Sequence, residues 1–138
     1  LSVWGEPEGN PWASIGGTVL VERGHLPRPQ PGAPGVFSMA NEDRTRALLD
    51  GAGFSSIRTE NVPVRFAFGD LDDYERWVID VAGPFAMAVR GLPDDERKVL
   101  RSRLRDAFVP FASDGGYELP GVALCAVAAN TAPTMNPE

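Results

Sequence analysis

The residues that could do chemistry are few. His25 is the only histidine, the residue type that changes charge near neutrality unaided, and in a Pro-rich stretch it could serve as a general base for a substrate hydroxyl. Trp4, Trp12 and Phe37 are large aromatics for which core packing is the ordinary role. Asp72-Asp73 and Asp94-Asp95-Glu96 have the look of paired carboxylates, but each group opens a helical pattern, where acids meet the positive end of the macrodipole, so capping is the expected role. Cys125 lies inside an apolar run with nothing basic beside it and is expected to be buried and inert.

Composition limits the rest. With one cysteine and one histidine, no internal disulfide and no Cys/His zinc set can be built, so the metal expectation is none and a reducing cytoplasm is the expected setting. Nineteen acidic against 13 basic residues leave a net charge of -6, the wrong sign for a partner held by phosphates, so nucleic acid is not expected. The apolar run from Gly121 to Ala129 is less than half the roughly 20 residues a spanning helix needs, so neither is a membrane. At 138 residues, 43% hydrophobic and 23% charged, the chain fits one core. It opens Leu-Ser-Val-Trp without a basic leader, as expected of a processed chain or an excerpt of a longer one.

The elements that must position these residues follow from periodicity. Asn10 to Glu22 reads as a helix, with Asn10 as cap, Pro11 in the first turn and Gly16-Gly17 weakening it. Four prolines between Gly24 and Gly35 predict an extended loop. Ser38 then caps a helix to Asp50 whose buried side would be Ala47, Leu48, Leu49 and Ala52, with Gly51 and Gly53 as the stop. Val62, Val64, Phe66 and Phe68 alternate as a strand, and Pro63, unable to donate, puts it at an edge. Helical spacing returns from Leu71, with Asp70 as cap and Tyr74 and Trp77 packing on the sheet. After Gly83-Pro84 come a short apolar helix from Phe85 to Leu92 and a helix opened by Pro93 that Pro110 ends. Tyr117 to Ala129, apolar on both faces, reads as an interior strand, and the tail 131–138 as disordered.

The succession Val3-Trp4, Asn10-Pro11-Trp12, Pro34-Gly35-Val36-Phe37, Leu48-Leu49 with Ala52-Gly53-Phe54, a strand, Asp72-Asp73-Tyr74, an acid-rich helix and Leu119-Pro120-Gly121-Val122-Ala123-Leu124 resembles the carboxy-terminal half of class I S-adenosylmethionine-dependent methyltransferases. The closest subgroup is the ubiquinone/menaquinone-biosynthesis type and its small-molecule relatives, and the resemblance covers residues 1 to about 130. It implies an α/β (as a fragment, α+β) fold: the end of a seven-stranded Rossmann-like sheet of order 3-2-1-4-5-7-6. Residues around Leu1 to Trp4 would be strand five, Ile57 to Phe68 edge strand six, and Glu118 to Asn130 antiparallel strand seven between them.

The resemblance places the cofactor on the first four strands, after a glycine-rich turn, and no Gly-x-Gly-x-x-Gly follows a strand here. No cofactor-binding residue is therefore expected in this chain, which by itself should neither bind S-adenosylmethionine nor transfer a methyl group. The implied role is to cover a small-molecule acceptor, with Trp4, Trp12, His25 and Phe37 as candidate substrate contacts, His25 the one catalytic candidate, and a homodimer the expected assembly. The other open reading is a stand-alone small-ligand-binding or dimerisation module without chemistry.

Overall fold

A computed structural model describes residues 1–30, 33–81 and 83–130. The tail expected beyond Asn130, and Pro31-Gly32 of the Pro-rich loop, lie outside the described residues. The chain is mixed α/β with an antiparallel sheet. In order come β1 (Ser2–Trp4), a 3-10 turn (Pro7–Gly9), α1 (Pro11–Glu22), α2 (Glu42–Gly51), β2 (Phe54–Phe68), α3 (Leu71–Val81), α4 (Gly83–Arg90), α5 (Asp94–Phe108), a 3-10 turn (Val109–Phe111), β3 (Ala112–Ser113) and β4 (Gly116–Asn130).

The sheet runs β1-β4-β2, with β3 pairing on β4 as a hairpin. β4 is antiparallel to both neighbours, with Val3 opposite Leu124 and Phe66 opposite Leu119. Pro63 does lie in an edge strand, where its missing N–H costs no ladder bond, and β4 is interior as its two-sided apolarity requires. β2 begins at Phe54, earlier than its alternation suggests, because a register shift between Ser55 and Arg58, with Ser56 at φ 52, lets a polar segment join the ladder.

The two faces of this sheet are covered at opposite ends. Phe66 and Phe68 share a face with Leu119 and Tyr117, and onto it α1, α3, α4 and α5 pack Trp12, Leu20, Leu71, Tyr74, Val78, Phe85, Leu100, Leu104 and Phe108. On the other face, towards the end of β4, Leu124 and Ala126 are buried. There Arg46 of α2 donates to Ile57 O at 3.1 Å and to the Thr59 hydroxyl, and Glu42 accepts from Thr59.

Local chemistry explains the helix ends. Asp70 Oδ1 accepts the Asp73 N–H at 2.8 Å while Asp73 Oδ2 accepts that of Gly69 at 3.1 Å, a reciprocal cap at the start of α3. α1 ends in a left-handed Gly24 (φ +79), with His25 N donating to Leu20 O and Gly24 N to Val21 O. Gly16 faces Phe85, whose ring would lie 2.6 Å from an added Cβ, so this glycine is the contact point between α1 and α4.

Three local expectations are corrected. Asn41, not Ser38, caps α2, its Oδ1 accepting from Arg44 N at 2.9 Å. The buried residue of α2 is Thr45, while Leu48 is 51% exposed and Ala47 and Ala52 face solvent; Thr45 is drawn in because its hydroxyl donates to Met39 O at 2.9 Å. Cys125 is half-buried rather than buried, since its face of the sheet is uncovered beyond Ala123, where Val127 is 66% exposed. Its Sγ sits 3.4 Å from Ser2 Oγ.

Candidate functional site

Trp4 and Trp12 are brought together by β1 and the first turn of α1. Their rings meet edge to face with centroids 4.8 Å apart, and Phe66 closes on both at 5.8 and 5.2 Å. The line continues through Trp77, 5.1 Å from Phe66, to Phe68, Tyr74 and Phe108. Tyr74, fully buried, donates its hydroxyl to Trp12 O at 2.8 Å, and burial pushes its phenol well above the usual range, so it remains a donor. Trp12 is thus a core residue, and its indole N–H is taken by Asn10 Oδ1 at 2.9 Å.

Asn10, read from sequence as a helix cap, makes no cap bond. It is fully buried, and its Nδ2 donates to the carbonyls of Gly5, Glu6 and Val122 at 3.1–3.2 Å. Its Oδ1 accepts the Val122 N–H at 3.0 Å besides the Trp12 indole. One amide therefore locks the end of β1, the first 3-10 turn, the centre of β4 and the Trp12 ring. Nothing local in Asn-Pro-Trp distinguishes this role from a cap, because the Val122 peptide that it grips lies 112 residues away.

Trp4, half-buried, has an open side. With Ser2 and Val3 it forms one wall of a cleft of about 400 Å³, whose other wall is Gly35, Val36, Ser38 and Met39. Phe37, between two wall residues, is half-buried and does not line it. Among the described residues no ionisable side chain lines the cleft; it offers an indole, a thioether, aliphatic surface and the hydroxyls of Ser2 and Ser38. Such a lining suits an uncharged, largely apolar ligand and supplies no acid or base.

His25 stands elsewhere, at the C-terminal end of α1, and is not in the cleft wall. Its Nε2 lies 3.0 Å from Glu96 Oε2, and Arg23 holds the same carboxylate through both oxygens. The Arg23 guanidinium first, and the His25 hydrogen bond second, bring the Glu96 carboxyl down to about 2. A carboxylate shared with an arginine is a structural clasp between α1 and α5, and Glu96 serves it rather than only facing its own helix dipole. Asp72 likewise pairs with Arg101, which also reaches Glu75 Oε2 at 3.1 Å. No group of three or more His, Cys, Asp or Glu side chains fit for a metal ion occurs among the described residues, and no described helix is long and apolar enough to cross a membrane.

Of the four residues expected at a substrate site, the structure puts Trp4 in the cleft, Trp12 behind it, Phe37 beside it, and His25 in a separate ion-pair network. Comparison with protein-family models, with curated proteins and with solved structures gave no match.

Proposed function

We propose that this chain is the acceptor-side, carboxy-terminal portion of an S-adenosylmethionine-dependent small-molecule methyltransferase. The observation that supports this reading is the sheet. A short first strand and a Pro-bearing edge strand flank the last described strand, which is antiparallel to both, an arrangement that agrees with the 5-7-6 end of the seven-stranded sheet that the sequence resembles. One helix lies on one face of the sheet and a helical cluster inserted around the last two long strands lies on the other.

In this reading the chain's own residues position the acceptor. Trp4 presents an indole face to it, Trp12 and Phe66 hold that indole from behind, and Asn10 fixes Trp12. Positioning is the main contribution asked of the protein, because a sulfonium donor is already reactive and alignment by itself can supply about 7–11 kcal/mol of the barrier. A small, uncharged acceptor suits the cleft lining. The residues present do not fit the cofactor. The turn after β1, Gly5 to Gly9, is occupied by Asn10 and Val122, and the cleft has no acid for a ribose, so no residue here is assigned to S-adenosylmethionine.

The test is calorimetry on the polypeptide extended upstream in its gene. S-adenosylmethionine is expected to bind it with a micromolar Kd, about -8 kcal/mol, and not to bind the 138-residue chain. An extended polypeptide that does not bind, or an unextended chain that does, overturns the proposal.

A further inference from the structure

Asp-Gly occurs twice in this chain, at Asp50-Gly51 and at Asp114-Gly115, and Asn-Gly nowhere. Such a pair can rearrange its own backbone, because glycine has no Cβ to shield the amide nitrogen that follows the aspartate and turns freely about its own bonds. The two sites differ in what holds that nitrogen. Asp50 and Gly51 are the last two residues of α2, and ring closure there first needs the helix end to open. Asp114 and Gly115 are the whole tip of the hairpin of β3 and β4, which begins where Ser113 stands opposite Gly116.

This tip is exposed from Ala112 to Gly115, and neither the Asp114 carboxylate nor the Gly115 N–H has a hydrogen-bond or ion-pair partner among the described residues. The root of the same hairpin is fixed. Gly116 sits at φ +136, and a Cβ on it would fall 2.1 Å from Phe68 O and 2.5 Å from Gly69 O. No such crowding surrounds Gly115, where an added Cβ meets nothing within 4 Å.

We infer that Asp114-Gly115 is a site of spontaneous covalent modification, at which the chain forms a succinimide and then isoaspartate with water as the only co-reactant. The Gly115 nitrogen gives up its proton and attacks Asp114 Cγ. A C–N bond forms, a Cγ–O bond breaks, and the hydroxyl of the protonated carboxyl takes that proton and leaves as water. A second water then opens the ring and returns a proton to the Gly115 nitrogen. Attack at Cγ restores aspartate, whereas attack at the Asp114 main-chain carbonyl carbon breaks the original peptide bond and routes the backbone through Cβ. The isoaspartate tip is one methylene longer and carries a free α-carboxylate. Since Gly116 is pinned against Phe68 and Gly69, the extra length falls on β3, whose pairing with β4 parts while the ladder of β2 and β4 stays. This site is independent of the methyltransferase reading and lies outside the cleft at Trp4.

The test is incubation of the chain for weeks at neutral pH and body temperature, then proteolysis and mass spectrometry with electron-transfer fragmentation, which tells isoaspartate from aspartate. Isoaspartate is expected at Asp114 at a level at least about fivefold above that at Asp50, where the helix end must open first. Gly115→Ala has room at the tip and shields the nitrogen with a methyl group, so it is expected to keep the fold by circular dichroism and to cut the yield at least about threefold. Asp114→Asn, which releases ammonia in place of water, is expected to raise it. Isoaspartate at Asp114 no more abundant than at Asp50, or as abundant in a folded Gly115→Ala as in the wild type, overturns the inference.

Discussion

Asn10 grips the Val122 peptide from both sides, donating from Nδ2 to its carbonyl at 3.1 Å and accepting its N–H at Oδ1 at 3.0 Å. A side-chain amide thereby does for β4 what a neighbouring strand would do. Asn10→Ala leaves the carbonyls of Gly5, Glu6 and Val122 and the indole of Trp12 without this partner in a buried place, and should cost about 3 kcal/mol or more in urea unfolding. Asn10→Asp keeps the acceptor but turns a carboxylate towards three carbonyls, so it should be no better than alanine. A loss under about 1 kcal/mol for either would contradict the role described.

The two adjacent glycines of α1 should respond in opposite directions. Gly17 has nothing within 4 Å of an added Cβ, so Gly17→Ala should stabilise by about 0.5–1 kcal/mol through helix propensity. At Gly16 the same change drives a methyl into the Phe85 ring and should destabilise by about 1–3 kcal/mol. Thermal unfolding of the two single variants separates them, and equal shifts would show that α1 and α4 do not meet as described.

Glu96 should supply an acid-dependent part of stability. Arg23 and His25 hold its folded-state carboxyl down at about 2, below its value in the unfolded chain, so its contribution is complete above the ordinary carboxylate range. That contribution is lost as pH falls from about 4.5 to about 2. The stability gap between the wild type and Glu96→Gln should therefore close across that window. A gap that stays constant from pH 6 to pH 2.5 would remove the clasp from the account.

Glu75 should show the opposite sign. Burial raises its carboxyl, against the pull of Arg101, and Oε1 is buried without a hydrogen-bond partner. A folded-state value above the unfolded one means that the native state holds its proton more tightly, so stability declines as pH rises through the carboxylate range. Relative to wild type, Glu75→Gln should gain stability between pH 4 and pH 7. Denaturant titrations at the two pH values check this, and a relative loss at pH 7 would count against it.

The strand order was legible because Pro63 and the two-sided apolarity of Val122 to Val127 are properties of single strands that dictate their neighbours. The face of α2 was not. Its apolar residues suggested Leu48, and a single hydroxyl, that of Thr45, outweighed them once Met39 O stood within reach. The candidate site was legible at Trp4 only. Val36 and Met39 come to it from the segment that follows the Pro-rich stretch, which has no periodicity, and the His25–Glu96 pair joins positions 71 residues apart, for which no local pattern exists.

The placement of β4 also governs when this molecule can fold. β1 and β2 are not hydrogen-bonded to each other; each is paired in the ladder only to β4, across separations that reach from Leu1 to Ala126. Loop closure over such distances must precede any reward from the ladder, which puts the sheet among slow, high-contact-order assemblies. A ribosome that has released everything up to Gly115 has released helices and three unpaired strands. The sheet assembles only after β4 itself has emerged, and until then Trp4, Phe66 and Phe68 wait without that strand.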